Sequence, residues 1–241
     1  MQNSSKDKQI KNNLGDFKKI SPSDIPDNLK DYNVFFLSNK TFADLKKDTV
    51  LDAIKSPSEW FYFFMTCFLG YYKEMIDEIL NYAEGELKFP IGYEYLEKYL
   101  ADYKIEYTGI SKNYYGVKSI DGLHEVNHNN DTISIFYNQE LSEEEIRFTI
   151  AHELFHCCQY IDRTFKSMID DLIAAYEPHS SNIVRTLLEE TTDYAAAMYL
   201  MPAEPFYKKF IETKNIYEVS NYFKVPFGAA VCRLKLYEKF I

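Results

Sequence analysis

The chain has 241 residues, 46% of them hydrophobic and 17% aromatic, so it can bury a sizeable core and is not a disordered polymer. Its formal net charge of -10 opposes non-specific attraction to nucleic acid or anionic lipid, both of which are polyanions. Four scattered cysteines (Cys67, Cys157, Cys158, Cys232) lack the paired CxxC spacing of a structural zinc site and the density of a disulfide scaffold, so they read as reduced.

Residues 1–19, rich in Lys, Asn and Ser, read as a mobile tail, and no secretory signal opens the chain; the expected location is the cytoplasm. Residues 20–88 read as a helical N-terminal region. Short apolar runs with Pro22 and Pro26 suggest short helices and turns at first. Ser56-Pro57-Ser58-Glu59 is then a strong helix start, with Ser56 as cap and Pro57 at the first helical position. That helix is expected to run to about Glu84 before Gly85. Its apolar stretch, Trp60 to Tyr72, is too short for a bilayer, which needs about 20 residues. A buried core helix is the reading, with no membrane partner.

Pro90 opens the next unit, residues 89–241. Tyr93, Leu96, Tyr99 and Leu100 form a helical face. Three strand-like segments come next, Ile105–Tyr107, Tyr114–Leu123 and Thr132–Tyr137, with a polar turn at Asn127–Asp131. His124 and His128 fall at a hairpin end and read as ordinary exposed histidines.

Ser142 followed by Glu143, Glu144 and Glu145 is a capping box with acid in the first turn, which sets the start of a helix. Within it stands His152-Glu153-Leu154-Phe155-His156, and Phe148, Phe155 and Gln159 are read on the face that the two histidines share. Histidines four apart lie one turn above the other, so both imidazoles can reach one metal ion. Glu153 beside them can take a proton from water that the metal activates. Cys157 and Cys158 point away from the metal-facing side and read as packing residues.

A zinc hydrolase needs a third protein ligand and an open position. Thr186 to Met201 reads as a helix stopped by Pro202, with Glu189 and Asp193 on one face and the small Ala196 and Ala197 beside them for close packing on the motif helix. Glu189 can ligate the metal, and Asp193 one turn later can hold the far ring nitrogen of a ligand histidine. Glu190 points about 100° away. His179 reads as a surface-loop histidine, and Tyr176, Tyr194 and His179 are unranked candidates for stabilising an oxyanion. The expected metal is zinc, with manganese left open, since two imidazoles and a carboxylate suit both.

These segments resemble the ImmA/IrrE family of gluzincin-type metallopeptidases. The matching residues are Phe148 to His156, then Glu189-x-x-x-Asp193, then Ala195-Ala196-Ala197-Met198-Tyr199-Leu200-Met201-Pro202, and the likeness covers about Phe89 to Ile241. The resemblance implies His152, His156 and Glu189 as metal ligands and Glu153 as general base. Phe155 stands where the family usually has Gly, which suggests a narrower cleft, and Thr192-Asp193 replaces its usual Ala-Asn. The family's biology implies a site-specific cut in a protein substrate, a helix-turn-helix repressor of a mobile element or stress operon. The alternative is a non-catalytic metal- or protein-binding regulator of the same fold, antitoxin-like or accessory to a mobile element.

The last segment, about 214–241, reads as two short helices around Val225-Pro226, resembling a helix-turn-helix. Lys214, Lys224, Arg233, Lys235 and Lys239 against Glu218 and Glu238 give it a charge of +3. The family resemblance implies that it packs on the core, and with Arg233 its only arginine it is not expected to contact DNA. The expected fold class is α+β, mainly helical, with a small three-stranded antiparallel or mixed sheet packed on the zincin active-site helix. The oligomeric state is open.

Overall fold

The computed structural model describes residues 57–83, 85–111, 121–176 and 181–240. The tail expected over 1–19, the segment 20–56 with its Ser56 cap, most of the strand expected from Tyr114, and His179 lie outside the described residues. The chain divides into two compact units, Met1–Cys67 and Phe68–Ile241. The second holds the sheet and every helix from Glu94 onward.

In chain order the elements are α1 (Pro57–Leu80), which passes from the first unit into the second, α2 (Glu94–Tyr99), β1 (Lys104–Ile110), β2 (Gly122–Asn127), β3 (Thr132–Asn138), α3 (Glu143–Ile161), α4 (Arg163–Tyr176), α5 (Ser181–Leu200), α6 (Ala203–Thr213), α7 (Ile216–Phe223) and α8 (Phe227–Phe240). None of the described helices is long and apolar enough to cross a membrane. The architecture is α+β.

The sheet is mixed, in the order β1-β3-β2. β3 is central because its alternation places Ile133 and Ile135, both fully buried, on the face toward the helices. β1 runs parallel to it with Tyr107 opposite Ile135, and β2 runs antiparallel with His124 opposite the same residue. The second strand therefore begins at Gly122, at the end of the stretch expected to be extended, and His124 stands within a strand and not at a hairpin end. α1 likewise stops at Leu80, short of Glu84, and gives way to turns before Gly85 takes a positive φ of 107°.

α3 starts as its capping box dictates. Ser142 Oγ accepts the Glu145 amide at 3.2 Å, and Glu145 Oε2 accepts the Ser142 amide at 3.0 Å. From Ile150 onward the helix is buried nearly all round, with β2 and β3 on one side and α5 on another. Asp162 ends it in an extended conformation, and its carboxylate accepts the amides of Thr164 and Phe165 at 2.8 and 2.9 Å to start α4. Ala195, Ala196 and Ala197 are buried on α5, so the two site-bearing helices approach closely.

Phe155 does not face a cleft. It is fully buried, edge-on to Tyr72 of α1 with ring centroids 5.6 Å apart and to Tyr199 of α5 at 5.9 Å. At 100° per residue Phe155 lies about 80° from the midpoint of His152 and His156, enough to turn it into the core. The bulk in place of glycine fills space between α1, α3 and α5.

α6 ends at Lys214 and α7 at Lys224, each in the left-handed conformation, and Asn215 caps α7 by accepting the Tyr217 amide at 3.0 Å. Val219, Phe223, Val225, Ala229 and Ala230 are buried, so this helix pair spends its apolar face on the core. Arg233 is buried too. Its Nε donates to the Met201 carbonyl at the end of α5 at 2.9 Å, its guanidinium lies 5.7 Å from the Phe206 ring centre, and burial pushes its pKa down to about 10. The one arginine of the segment thus holds helices together. Replacing it with Ala leaves that carbonyl without its donor and is expected to cost about 1–3 kcal/mol, read as a lowered midpoint of denaturant unfolding with an unchanged slope.

Candidate metal centre

The motif helix carries an unusual load for its position: Glu153, His156 and Gln159 are polar yet buried. Buried polar groups are tolerated when each finds a partner, and here the partners define a site.

His152 and His156 present their Nε2 atoms 2.9 Å apart, and Glu189 Oε2 on α5 lies 3.5 Å from the first and 3.6 Å from the second. A zinc ion with ligands at about 2.05 Å in tetrahedral array separates them by roughly 3.3 Å. The triangle matches that spacing, so these residues fit a metal ion, and they are the one such group among the described residues. Glu190, adjacent in sequence, is outside it. α5 begins at Ser181, earlier than the expected Thr186, which places Glu189 well inside a regular helix.

Each imidazole is held from behind. His152 Nδ1–H donates to Asp193 Oδ1 at 2.8 Å, as the Glu189-to-Asp193 spacing predicts. His156 Nδ1–H donates to Gln159 Oε1 at 3.0 Å. The Thr192 hydroxyl donates its proton to the Leu188 carbonyl at 2.7 Å, so it accepts from Gln159 Nε2 at 2.6 Å, with the Tyr72 hydroxyl beside it, and the Gln159 oxygen is left for His156. Both histidines therefore keep Nε2 as the atom that faces the centre. Helical spacing puts Gln159 on this face without assigning it a role; its place three residues after His156 is the signal the sequence offers.

The charges match this geometry. The hydrogen bonds from His152 and His156 hold the Glu189 carboxyl well below the usual carboxylate range. Burial pulls the His152 pKa down, but its bonds to Asp193 and Glu189 outweigh that and raise it to about 9. A cation is what such a group of acceptors favours, and a bound metal displaces that proton. By contrast, burial pushes the Cys157 and Cys158 thiols up, which leaves them inert packing residues as expected.

Glu153 does not join the triangle. Its carboxylate turns toward β2, where Oε2 accepts from His124 Nδ1–H at 2.7 Å. The His124 ring stacks on His156, with centroids 5.4 Å apart and 19° between planes, and Tyr160 flanks it at 5.6 Å. His124 is the residue that sequence reasoning missed. His128 is elsewhere, bonded to the Tyr103 hydroxyl at 2.9 Å on the surface. Of the oxyanion candidates, Tyr194 is half-buried, and burial with the nearby Cys232, Glu190 and Asp193 raises its pKa, so it stays a neutral phenol; the Tyr176 side chain and His179 lie outside the described residues.

Comparison with curated proteins finds no match. Comparison with protein families finds one whose signature runs over residues 105–235, from β1 through α8, and so includes the sheet, both site-bearing helices and the C-terminal pair. With more than half of the 241 residues covered, the chain belongs to the Peptidase_M78 family, the IrrE N-terminal-like domains, a metal-dependent family, and carries its metallopeptidase-like fold.

Proposed function

We propose that the protein is a zinc-dependent metalloendopeptidase that makes a site-specific cut in a regulatory protein. The observation that carries this is the His152, His156 and Glu189 triangle with Glu153 buried beside it. His152, His156 and Glu189 hold the ion. Zinc is favoured over manganese because imidazole-rich sites bind it more tightly. When bound, it supplies Lewis acidity that polarises a carbonyl and acidifies water. Glu153 takes the proton of the attacking water and hands it to the leaving amine, and Asp193 and Gln159 keep the two imidazoles in register. A donor set of two imidazoles and one carboxylate would suit a catalytic zinc ion better than a structural one, which takes four protein ligands.

The substrate assignment, a helix-turn-helix repressor of a mobile element or stress operon, rests on the family resemblance, and the cytoplasm is the compartment it implies. The formal net charge of -10 and the inward-facing Arg233 support a protein target over DNA. Mapping new protein N-termini in cells that express the wild type or Glu153→Gln tests it. One new terminus within a regulator, present with the wild type alone, is the expected result; an identical set in both would overturn the reading.

Gln159→Leu removes the acceptor from His156 Nδ1. It is expected to weaken zinc affinity about 10- to 100-fold in competition with a chromophoric chelator.

A further inference from the structure

β2 is an edge strand, and its side chains alternate between faces, so Gly122 and His124 look the same way, toward α3. Both meet Glu153. A Cβ at Gly122 would stand 2.8 Å from Glu153 Oε1, 2.9 Å from Glu153 Cγ and 2.5 Å from Thr149 Cγ2, distances that real Cβ atoms do not show. The carboxylate therefore lies against bare backbone at Gly122 while its other oxygen takes the His124 Nδ1–H at 2.7 Å.

His124 is itself fixed: by its place opposite Ile135 in the sheet, by stacking on His156, and by Tyr160 on the outer side. A backbone fixed in the sheet and a ring flanked on two sides offer one N–H in one direction. A carboxylate on a flexible two-carbon stem gains most from such a clamp, because the proton it must collect and deliver passes over a short, defined path.

We propose that Gly122 and His124 form a cradle on β2 that positions the Glu153 carboxylate, with His124 as a positioning residue that acts through Glu153. This deepens, and rests on, the peptidase reading above. Gly122 supplies room, His124 supplies the donor, and the residue between them, Leu123, points to the opposite face and is exposed.

The test uses the full-length, zinc-loaded protein with nitrogen-15 histidine. Long-range proton–nitrogen spectra report which ring nitrogen of each of the five histidines carries a proton. In the wild type His124 should carry it on Nδ1. Glu153→Ala should release His124 to the Nε2–H tautomer with zinc content unchanged. A wild-type His124 protonated on Nε2 alone, or one indifferent to Glu153→Ala, would overturn the cradle.

Kinetics on a peptide that spans the mapped cut site give the second readout. His124→Phe should keep zinc and lower kcat about 10- to 100-fold with little change in KM, and His124→Asn, whose Nδ2 can replace the lost donor, should recover most of it. Equal loss in Phe and Asn variants would make His124 merely structural. If the wild type cuts nothing, the peptidase reading fails by itself, and the tautomer result still decides whether the cradle exists.

Discussion

Glu153→Gln is expected to lower cleavage by about 10²- to 10⁴-fold, the usual worth of a positioned general base, while zinc content and thermal stability stay at wild-type values. The two halves of that expectation have different origins. Glu153 is not part of the triangle that His152, His156 and Glu189 form, so its replacement leaves the ligand atoms untouched. Glutamine keeps the shape of the side chain and an oxygen that can accept from His124, so the packing against β2 survives. What it cannot do is take a proton. Steady-state kinetics beside metal analysis of the same sample separates these effects, and a variant that lost zinc together with activity would place Glu153 in the metal shell instead.

The second large effect concerns the third ligand. Glu189→Ala is expected to strip the protein of zinc, and Glu190→Ala to leave about one ion per chain. The two residues are adjacent, equal in charge and on one helix, so loss of net charge does not distinguish them; only direction does, about 100° around the helix. Glu189 Oε2 lies within 3.6 Å of both imidazole nitrogens. Because a metal that binds only the folded state stabilises it, zinc at 100 times its dissociation constant should raise stability by about 2.7 kcal/mol, or roughly 5–10 °C in thermal midpoint for a chain of this size. Wild type and Glu190→Ala should show that rise and Glu189→Ala should not. Equal zinc content in both variants would contradict the ligand assignment.

The features legible in the sequence are those with a local signature. The capping box sets the start of α3, the four-residue spacing of His152 and His156 sets their shared face, and the same spacing links Glu189 to Asp193; all three are properties of a single helix and survive into the structure. The features that are not legible depend on contacts between elements. Strand pairing is one: Gly-Leu-His-Glu-Val-Asn has little β-propensity of its own, yet Gly122–Asn127 pairs with β3, and that pairing puts His124 beside Glu153 and not at a hairpin end. Phe155 is another, since a residue at the flank of a helical face can turn to the cleft or to the core, and only the positions of Tyr72 and Tyr199 decide. The end of α1 at Leu80 is a third, because nothing within Asn81–Glu84 forbids another turn of helix. The role of Arg233 shows the same limit from the other side: the carbonyl that it satisfies comes from Met201, just past the end of α5 and far away in sequence.

Peptide-bond hydrolysis at this centre is most directly tested by intact-mass measurement of the purified regulator in which the new N-terminus maps, after incubation with chelator-stripped protein before and after zinc is restored. Two fragments whose masses sum to the regulator plus one water, formed with zinc and absent without it, are the expected result. An uncut regulator held in a stable complex with the zinc-loaded protein would contradict the peptidase reading and establish a regulator that acts by binding.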